Sequence, residues 1–415
     1  MISRYLTPKL QEALAFSPIV MLQGARQTGK STLVQALCAT GELGLDCEYR
    51  TLDDAILLSS AVSDPASFLA NPRGTLIIDE IQRAPELFLP LKIEVDKHRR
   101  PGKYLLTGSA NALLLPKIAD SLAGRMQILT LWALAEAEIN TIPPTFIDQL
   151  FSPIFTTKFN LPELPRRDLL QRMVRGGYPD LVQRGNETQR RGWFNAYIST
   201  ILQRDIRDLA QIEGLTAMPQ LLTLIASRSA SNLNMSELSR STGIAYATLK
   251  RYLALFEATF LICKVPAWST NLGARVTKTP KLYICDTGLM AALLNIDANR
   301  LYETPNLIGS FLETFVMMEF RKQATWANTQ VTLYHYQDTQ QNEVDLVLEG
   351  SAGDIIGIEI KSSTTIGTND FKGLRALAQT AGERFVRGIV LYNGVHQAAF
   401  GPNLFAVPIS NLVGI

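Results

Sequence analysis

The chain is short of several things at once. Its 415 residues hold only four cysteines and three histidines. Cys38, Cys47, Cys263 and Cys285 form no C-x-x-C pair and have no histidine cluster beside them, so structural zinc is excluded and reduced, buried thiols are expected. Charge of one sign is also lacking: 40 Lys plus Arg stand against 38 Asp plus Glu, a formal net charge of +2. That balance excludes a globally basic, nucleic-acid-coating protein, and any basic surface must be local. No apolar run reaches the roughly eighteen residues that read as a membrane span. The N-terminus has no charged-then-apolar leader pattern, so the expectation is a cytoplasmic location and no membrane partner. Internal repeats and low-complexity tracts are missing as well. The length is too great for one ordinary core, and about two to four domains are expected.

What is present is organised around residues 18–31. Ile19 to Leu22 reads as a buried strand, and Leu33, Val34 and Leu37 recur at helical spacing. Between them Gly24, Ala25, Arg26, Gln27, Thr28, Gly29, Lys30 and Ser31 fit G-x-x-x-x-G-K-[ST], with Thr32 the next residue of the binding stretch. The two glycines let backbone N–H groups turn inward around a polyphosphate, and the helix N-terminus adds partial positive charge. Lys30 suits the β- and γ-phosphates and Ser31 suits Mg²⁺, which predicts ATP or GTP as ligand. Thr75 to Glu80 is a second apolar strand ending in two carboxylates. Asp79 is expected to hold Mg²⁺ and Glu80 to polarise the attacking water. Lys103 to Ser109 reads as a third strand, inserted between the other two, with Thr107 or Ser109 placed to sense the γ-phosphate. Arg125 precedes a last strand, Met126 to Leu131. It is a candidate arginine finger for a neighbour in a homo-oligomer, a hexamer being one form, and equally a helix-terminal arginine capping carbonyls.

Residues 140–168 carry Pro143, Pro144, Pro153, Pro162 and Pro165 and read as a connector. An arginine-rich helical stretch follows, in which a long periodic helix runs through Trp193, Tyr197, Ile201 and Ile206, the pattern of a helical lid. Asn234 to Arg240 with Ser241-Thr242-Gly243 is a short capped helix and a turn. A longer helix from Ala245 has a core stripe of Leu249, Tyr252, Leu253, Phe256 and Phe260 and an opposite face with Lys250 and Arg251. This is a helix-turn-helix arrangement, with Val265–Trp268 and Pro280–Ile284 as the strands of a wing and DNA as the expected partner. Near the end come an apolar helix bearing Glu313 and two alternating strands, Glu343–Glu349 and Ile355–Lys361. Acid, hairpin, then Glu-x-Lys is the layout of a metal-dependent nuclease. Asp345 and Glu359 would ligate a second Mg²⁺ or Mn²⁺, Glu313 would add a ligand, and Lys361 would position water.

Together these residues resemble the bacterial and archaeal AAA-type ATP-binding proteins whose C-terminal half is the domain of unknown function 4143. The resemblance rests on Gly24–Ser31, Leu76–Gln82, Leu106–Ser109, Leu122–Arg125, Gly176–Pro179, Lys281–Leu289, Glu343–Asp345 and Ile358–Lys361, in that order. It implies an α/β protein: an AAA-type P-loop ATPase core with an inserted strand (1–140), a connector and helical lid (141–215), a winged-helix domain (216–300) and a restriction-endonuclease-like domain (301–415). The expected function is an ATPase associated with DNA. Two rivals stand beside it: a nucleotide-controlled signalling switch whose helix-turn-helix binds protein, and a nuclease that ATP licenses to cut.

Overall fold

The structure is a computed structural model that describes residues 2–43, 46–70, 72–109, 122–142, 145–155, 163–183, 186–207 and 215–414. Most of the expected helical stretch Ala110–Ala123 lies outside the described residues, as do Pro143, Pro144 and Pro162. The chain divides into two compact units.

The first unit comprises Arg4–Ala133 with Ala254–Phe260. Helix α1 (Thr7–Phe16) buries Leu10, Ala13 and Leu14, which fall on one face at helical spacing. Strand β1 (Ile19–Gln23) leads into helix α2 (Lys30–Ala39), then come β2 (Glu48–Thr51), β3 (Leu76–Asp79), α3 (Phe88–Lys97), β4 (Tyr104–Gly108) and β5 (Met126–Thr130). The strands are parallel in the order β2-β3-β4-β1-β5, so β4 is inserted between β1 and β3 as the sequence predicts. β1, β3 and β4 are buried along their whole length, and this is why they read as unbroken apolar runs. Alternate residues serve opposite faces. Val20, Leu22, Ile77 and Leu105 pack against Leu33, Val34 and Leu37 of α2. Ile19, Met21, Ile78, Tyr104 and Leu106 meet Leu91 of α3 on the other side. The register pairs Leu22 with Thr107 and Thr51 with Asp79, so the carboxyl ends of β1 to β4 finish side by side.

One expectation fails here. Cys38, in the last turn of α2, and Cys47, just before β2, form a disulfide with Cα atoms 5.6 Å apart. They stand nine positions apart in unpatterned sequence, and only the packing of β2 beside β3 returns the chain to the end of α2. Cys263 and Cys285 are buried and outside any disulfide, as expected.

The second unit comprises Met1–Ser3, Leu134–Leu253 and Leu261–Ile415. The supposed connector is partly helical: Phe146–Phe151 forms a helix that buries Phe146, Ile147 and Leu150, a short apolar face hidden among the prolines. Helix α4 (Arg166–Arg175) ends at Gly176, whose φ of 71° terminates it. A Cβ at Gly177 would stand 2.2 Å from the Leu134 carbonyl oxygen, and the Gly177 N–H donates to buried Asp286 at 2.8 Å. The Gly-Gly-Tyr-Pro turn is thus a packing device. Helix α5 (Glu187–Thr200) continues through a wider π turn over Ile201–Asp205, with Phe194, Tyr197, Ile201, Leu202 and Ile206 buried. Helices α6 (Met235–Thr242) and α7 (Tyr246–Ala258) are separated by Gly243 in the left-handed region. Strands β6 (Ser231–Asn232), β7 (Ile262–Val265) and β8 (Lys281–Ile284) form an antiparallel sheet in the order β6-β8-β7. The first strand expected of the wing lies three residues earlier than predicted, because Pro266 ends the ladder and its carbonyl accepts the His335 N–H at 3.0 Å instead.

Helix α8 (Thr287–Leu294) precedes α9 (Pro305–Gln323), which is buried at most positions from Phe311 onward. The rest is a six-stranded sheet: β9 (Val331–Gln337), β10 (Glu343–Gly350), β11 (Ile355–Lys361), β12 (Phe385–Tyr392), β13 (Ala398–Gly401) and β14 (Leu404–Pro408), with α10 (Lys372–Ala381) after β11. The order is β13-β14-β12-β11-β10-β9, antiparallel from β9 to β11 and parallel across β11, β12 and β14. Leu374, Leu377 and Ala381 of α10 complete its core.

Candidate active site

The loop between β1 and α2 is shaped for close approach of backbone. Gly24 has a φ of 154°, and a Cβ there would lie 2.2 Å from the Leu131 carbonyl oxygen. Gly29 has a φ of 91° and forms the N-cap of α2, and Gln27 also sits at positive φ. The Lys30 ammonium donates to the carbonyls of Gly24 (2.9 Å) and Ala25 (2.8 Å), and is held inside the curve of the loop. Thr28 donates to the Ala25 carbonyl at 2.9 Å. Arg26 is half-buried, and Thr32 is exposed on the first turn of α2. Arg4, which sequence reasoning missed, is buried ahead of α1 and donates to the carbonyls of Thr28 (2.7 Å) and Trp132 (2.6 Å). An arginine before a helix carries no sequence signal for that role.

At the carboxyl end of β3, Asp79 is buried and is the centre of the site. It accepts hydrogen bonds from Ser31 Oγ at 3.0 Å, from Tyr49 Oη at 2.7 Å and from Thr107 Oγ1. Ser31 and Asp79 are therefore brought together as predicted, a hydroxyl and a carboxylate of the kind that shares a hard cation. Tyr49 is the second residue that sequence reasoning missed. Burial and then the adjoining Asp79 push its phenol up to about 12, so it stays a donor. Thr107 also accepts the Glu80 N–H at 3.2 Å, and its hydroxyl is committed to β3. Glu80 itself has φ 59° and ψ 44°, the left-handed region, unusual for a residue with a side chain. Its carboxylate accepts from Gln82 Nε2, which donates also to Ser109 Oγ at 3.0 Å. Gln82, the third residue missed, thus links Glu80 to Ser109.

Arg125 makes a two-pronged ion pair with Asp96 of α3, at 2.6 and 2.9 Å, and donates to the Ala123 carbonyl at 3.0 Å. Within this chain it follows the carbonyl-capping alternative, with a carboxylate added. That pairing holds Asp96 below the usual carboxylate range.

A second cluster lies in the other unit. It gathers Glu313 of α9, Asp345 of β10, and Glu359 and Lys361 of β11, the set predicted for a second metal ion, together with Glu343 of β10, which was not in that set. Among the described residues, however, no three His, Cys, Asp or Glu side chains are grouped to hold a metal. An unforeseen cation stands among these carboxylates. Lys281 of β8 puts its ammonium 2.8 Å from Glu313, 2.6 Å from Glu343 and 3.8 Å from Asp345. Lys361 pairs with Glu359 at 2.7 Å. Burial and the neighbouring Asp345 raise Glu313 to about 7 and Glu359 to about 8.

The AAA domain family matches residues 16–140, the whole phosphate-loop sheet. A domain of unknown function (DUF4143) matches 308–412, which holds Glu313, Asp345 and Glu359. The chain thus carries an AAA domain followed by a C-terminal DUF4143 domain. Between the two, a further domain of unknown function (DUF8612) matches 166–300. Two curated relatives, uncharacterized proteins of Mycobacterium tuberculosis and Mycobacterium bovis, are each 29% identical over 98% of this chain and 83% of their own length. Among solved structures, AMPPCP-bound DnaA from Aquifex aeolicus matches over 61% of this chain and 85% of its own, at 13% identity and a TM-score of 0.31. The Drosophila ORC bound to DNA matches over 73% and 94%, at 12% identity and a TM-score of 0.23. At such scores the likeness carries no weight for function.

In the DUF8612 segment of this AAA-type protein, α7 buries Leu249, Tyr252, Leu253 and Phe256, and Phe260 beyond its end is buried too. Lys250 and Arg251 are exposed on the opposite face, where the sequence places them. Among the described residues no helix is long and apolar enough to cross a membrane.

Proposed function

We propose that the AAA domain hydrolyses ATP with Mg²⁺ and that the protein couples this to DNA. The observation that carries the reading is the contact of Ser31 with Asp79, with Glu80 next in the chain, at the carboxyl edge of a sheet with an inserted strand. The residue set fits the ligands. The Gly24–Ser31 loop would wrap the phosphates of ATP, Lys30 would bind the β- and γ-phosphates, and Ser31 and Asp79 would hold Mg²⁺, which supplies charge neutralisation at the phosphates. Glu80 would take the proton of the attacking water. The chain from Glu80 through Gln82 to Ser109 favours Ser109 over Thr107 as the γ-phosphate sensor. Arg125 would leave Asp96 to act across a homo-oligomer interface.

For DNA, the support is the separation of faces on α7, with Lys250 and Arg251 outward, in a helix-turn-helix followed by strands β7 and β8. The domains of this reading are the core (1–140), lid (141–215), winged helix (216–300) and a restriction-endonuclease-like end (301–415), for which α9 and the β9–β12 order speak. ATP hydrolysis measured without DNA and with single-stranded, duplex and branched DNA tests the whole. Glu80→Gln should keep ATP binding and lose about 10²–10⁴-fold in turnover. Near wild-type turnover in that variant overturns the base assignment, and indifference to every DNA form favours the signalling switch.

A further inference from the structure

The acidic cluster of the DUF4143 segment has its cation built into the chain. We infer that the Lys281 ammonium is the resident cation of Glu313, Glu343 and Asp345, and that it keeps divalent ions out. This inference does not rest on the ATPase reading.

The geometry is that of an occupied cation site. Glu343 and Asp345 stand two residues apart on β10 and project from one face, and Glu313 comes from α9. Their oxygens surround Lys281 Nζ at 2.6, 3.8 and 2.8 Å, and Tyr283 Oη adds a hydrogen bond to the same Glu313 oxygen at 2.8 Å. Lys281 is 2% exposed, and β8 is buried at every residue, so the ammonium is delivered on a rigid stem. A divalent ion binds carboxylate oxygen at about 2.0–2.6 Å and would need the space that the ammonium fills. A tethered cation also competes at a high effective concentration, and a free ion must displace it and leave it without a partner in a buried place. On the other side of Asp345, whose carboxylate accepts the Ile360 N–H at 2.8 Å, Lys361 meets a single Glu359 oxygen, at 2.7 Å. Two lysines thus stand among four carboxylates, Lys361 as predicted and Lys281 where a metal ion was expected.

The sequence could not show this. Lys281 stands in a strand assigned to another domain, sixty-four residues before Asp345. Taking away only the charge should turn the cluster into a metal site. Lys281→Met keeps the length of the stem and leaves three carboxylates without a counter-charge.

The test uses the full chain without nucleotide, titrated with Mn²⁺ and followed by the electron paramagnetic resonance signal of the free ion and by thermal unfolding. Wild type and Asp345→Asn should bind Mn²⁺ alike, so that nothing depends on Asp345. Lys281→Met should bind Mn²⁺ about tenfold more tightly or better and melt higher with it, and both effects should vanish in Lys281→Met with Asp345→Asn. Mn²⁺ binding by wild type that Asp345→Asn removes overturns the inference, whether or not the lysine variant folds. A folded Lys281→Met that gains no Mn²⁺ binding overturns it too. ATP turnover read on the same samples should not change between wild type and Lys281→Met, which separates this result from the fate of the ATPase reading.

Discussion

Gly24 leaves no room for a side chain, since a Cβ would meet the Leu131 carbonyl oxygen at 2.2 Å. Backbone, unlike a side-chain tip, cannot swing away, so Gly24→Ala must push β1 and the Leu131 segment apart. We expect a loss of about 1–3 kcal/mol in stability together with weakened ATP binding. Gly192, in α5, is the control: nothing lies within 4 Å of its Cβ position. Gly192→Ala should raise stability by about 0.5–1 kcal/mol through helix propensity and leave ATP binding alone. Chemical denaturation with a nucleotide titration checks both, and equal effects of the two variants would contradict the close approach at Gly24. Asp79 illustrates the opposite economy at this scale. Three hydroxyls from three different elements aim at one carboxylate, so its orientation is set before any ligand arrives.

Among the elements, α7 has the plainest division of labour, with its apolar stripe inward and Lys250 and Arg251 outward. Replacing both by alanine should weaken DNA binding and make its salt dependence shallower by about one unit per lost phosphate contact. Affinities measured across a salt series decide it, and an unchanged slope moves the DNA surface elsewhere. Elements of this kind were legible in the sequence because one segment carries the whole signal: the glycines and lysine of the phosphate loop, the apolar run before Asp79, the spacing on α7. What stayed hidden depends on segments far apart in the chain. Tyr49 is an ordinary strand residue until β2 packs beside β3. Arg4 and Gln82 act through carbonyls and amides that no motif marks. Lys281 reads as a wing residue until α9 and β10 close around it. The wing strand was misplaced for a local reason, since Pro266 moves the ladder back and hands the next residues to His335.

Taken over the whole molecule, the buried carboxylates should set how stability depends on pH. Glu313 faces Asp345, Lys281 and Tyr283, and Glu359 faces Asp345, Lys361 and Glu343; burial raises them to about 7 and about 8. Asp286 and Glu319, also buried, shift in the same direction. A carboxyl with a raised pKa in the fold contributes stability that is complete below its ordinary value and lost as pH rises through the folded value. Lys281 and Lys361 are raised as well, so their contribution holds through that window. His335 works from the other end: burial lowers it to about 4 from 6.5, and its contribution is lost as pH falls through that range. The melting temperature should therefore decline as pH rises from about 4.5 to about 8, most plainly above 6.5, where His335 no longer opposes it. Glu359→Gln should flatten that decline, and a parallel profile in the variant would refute the assignment.

The left-handed backbone at Glu80 implies a conflict between durability and work. A residue with a side chain held there costs about 1–3 kcal/mol, which glycine would not incur. A laboratory selection that rewarded heat resistance alone would exchange Glu80 for glycine or asparagine. It would return a sturdier protein without the carboxylate proposed as its base.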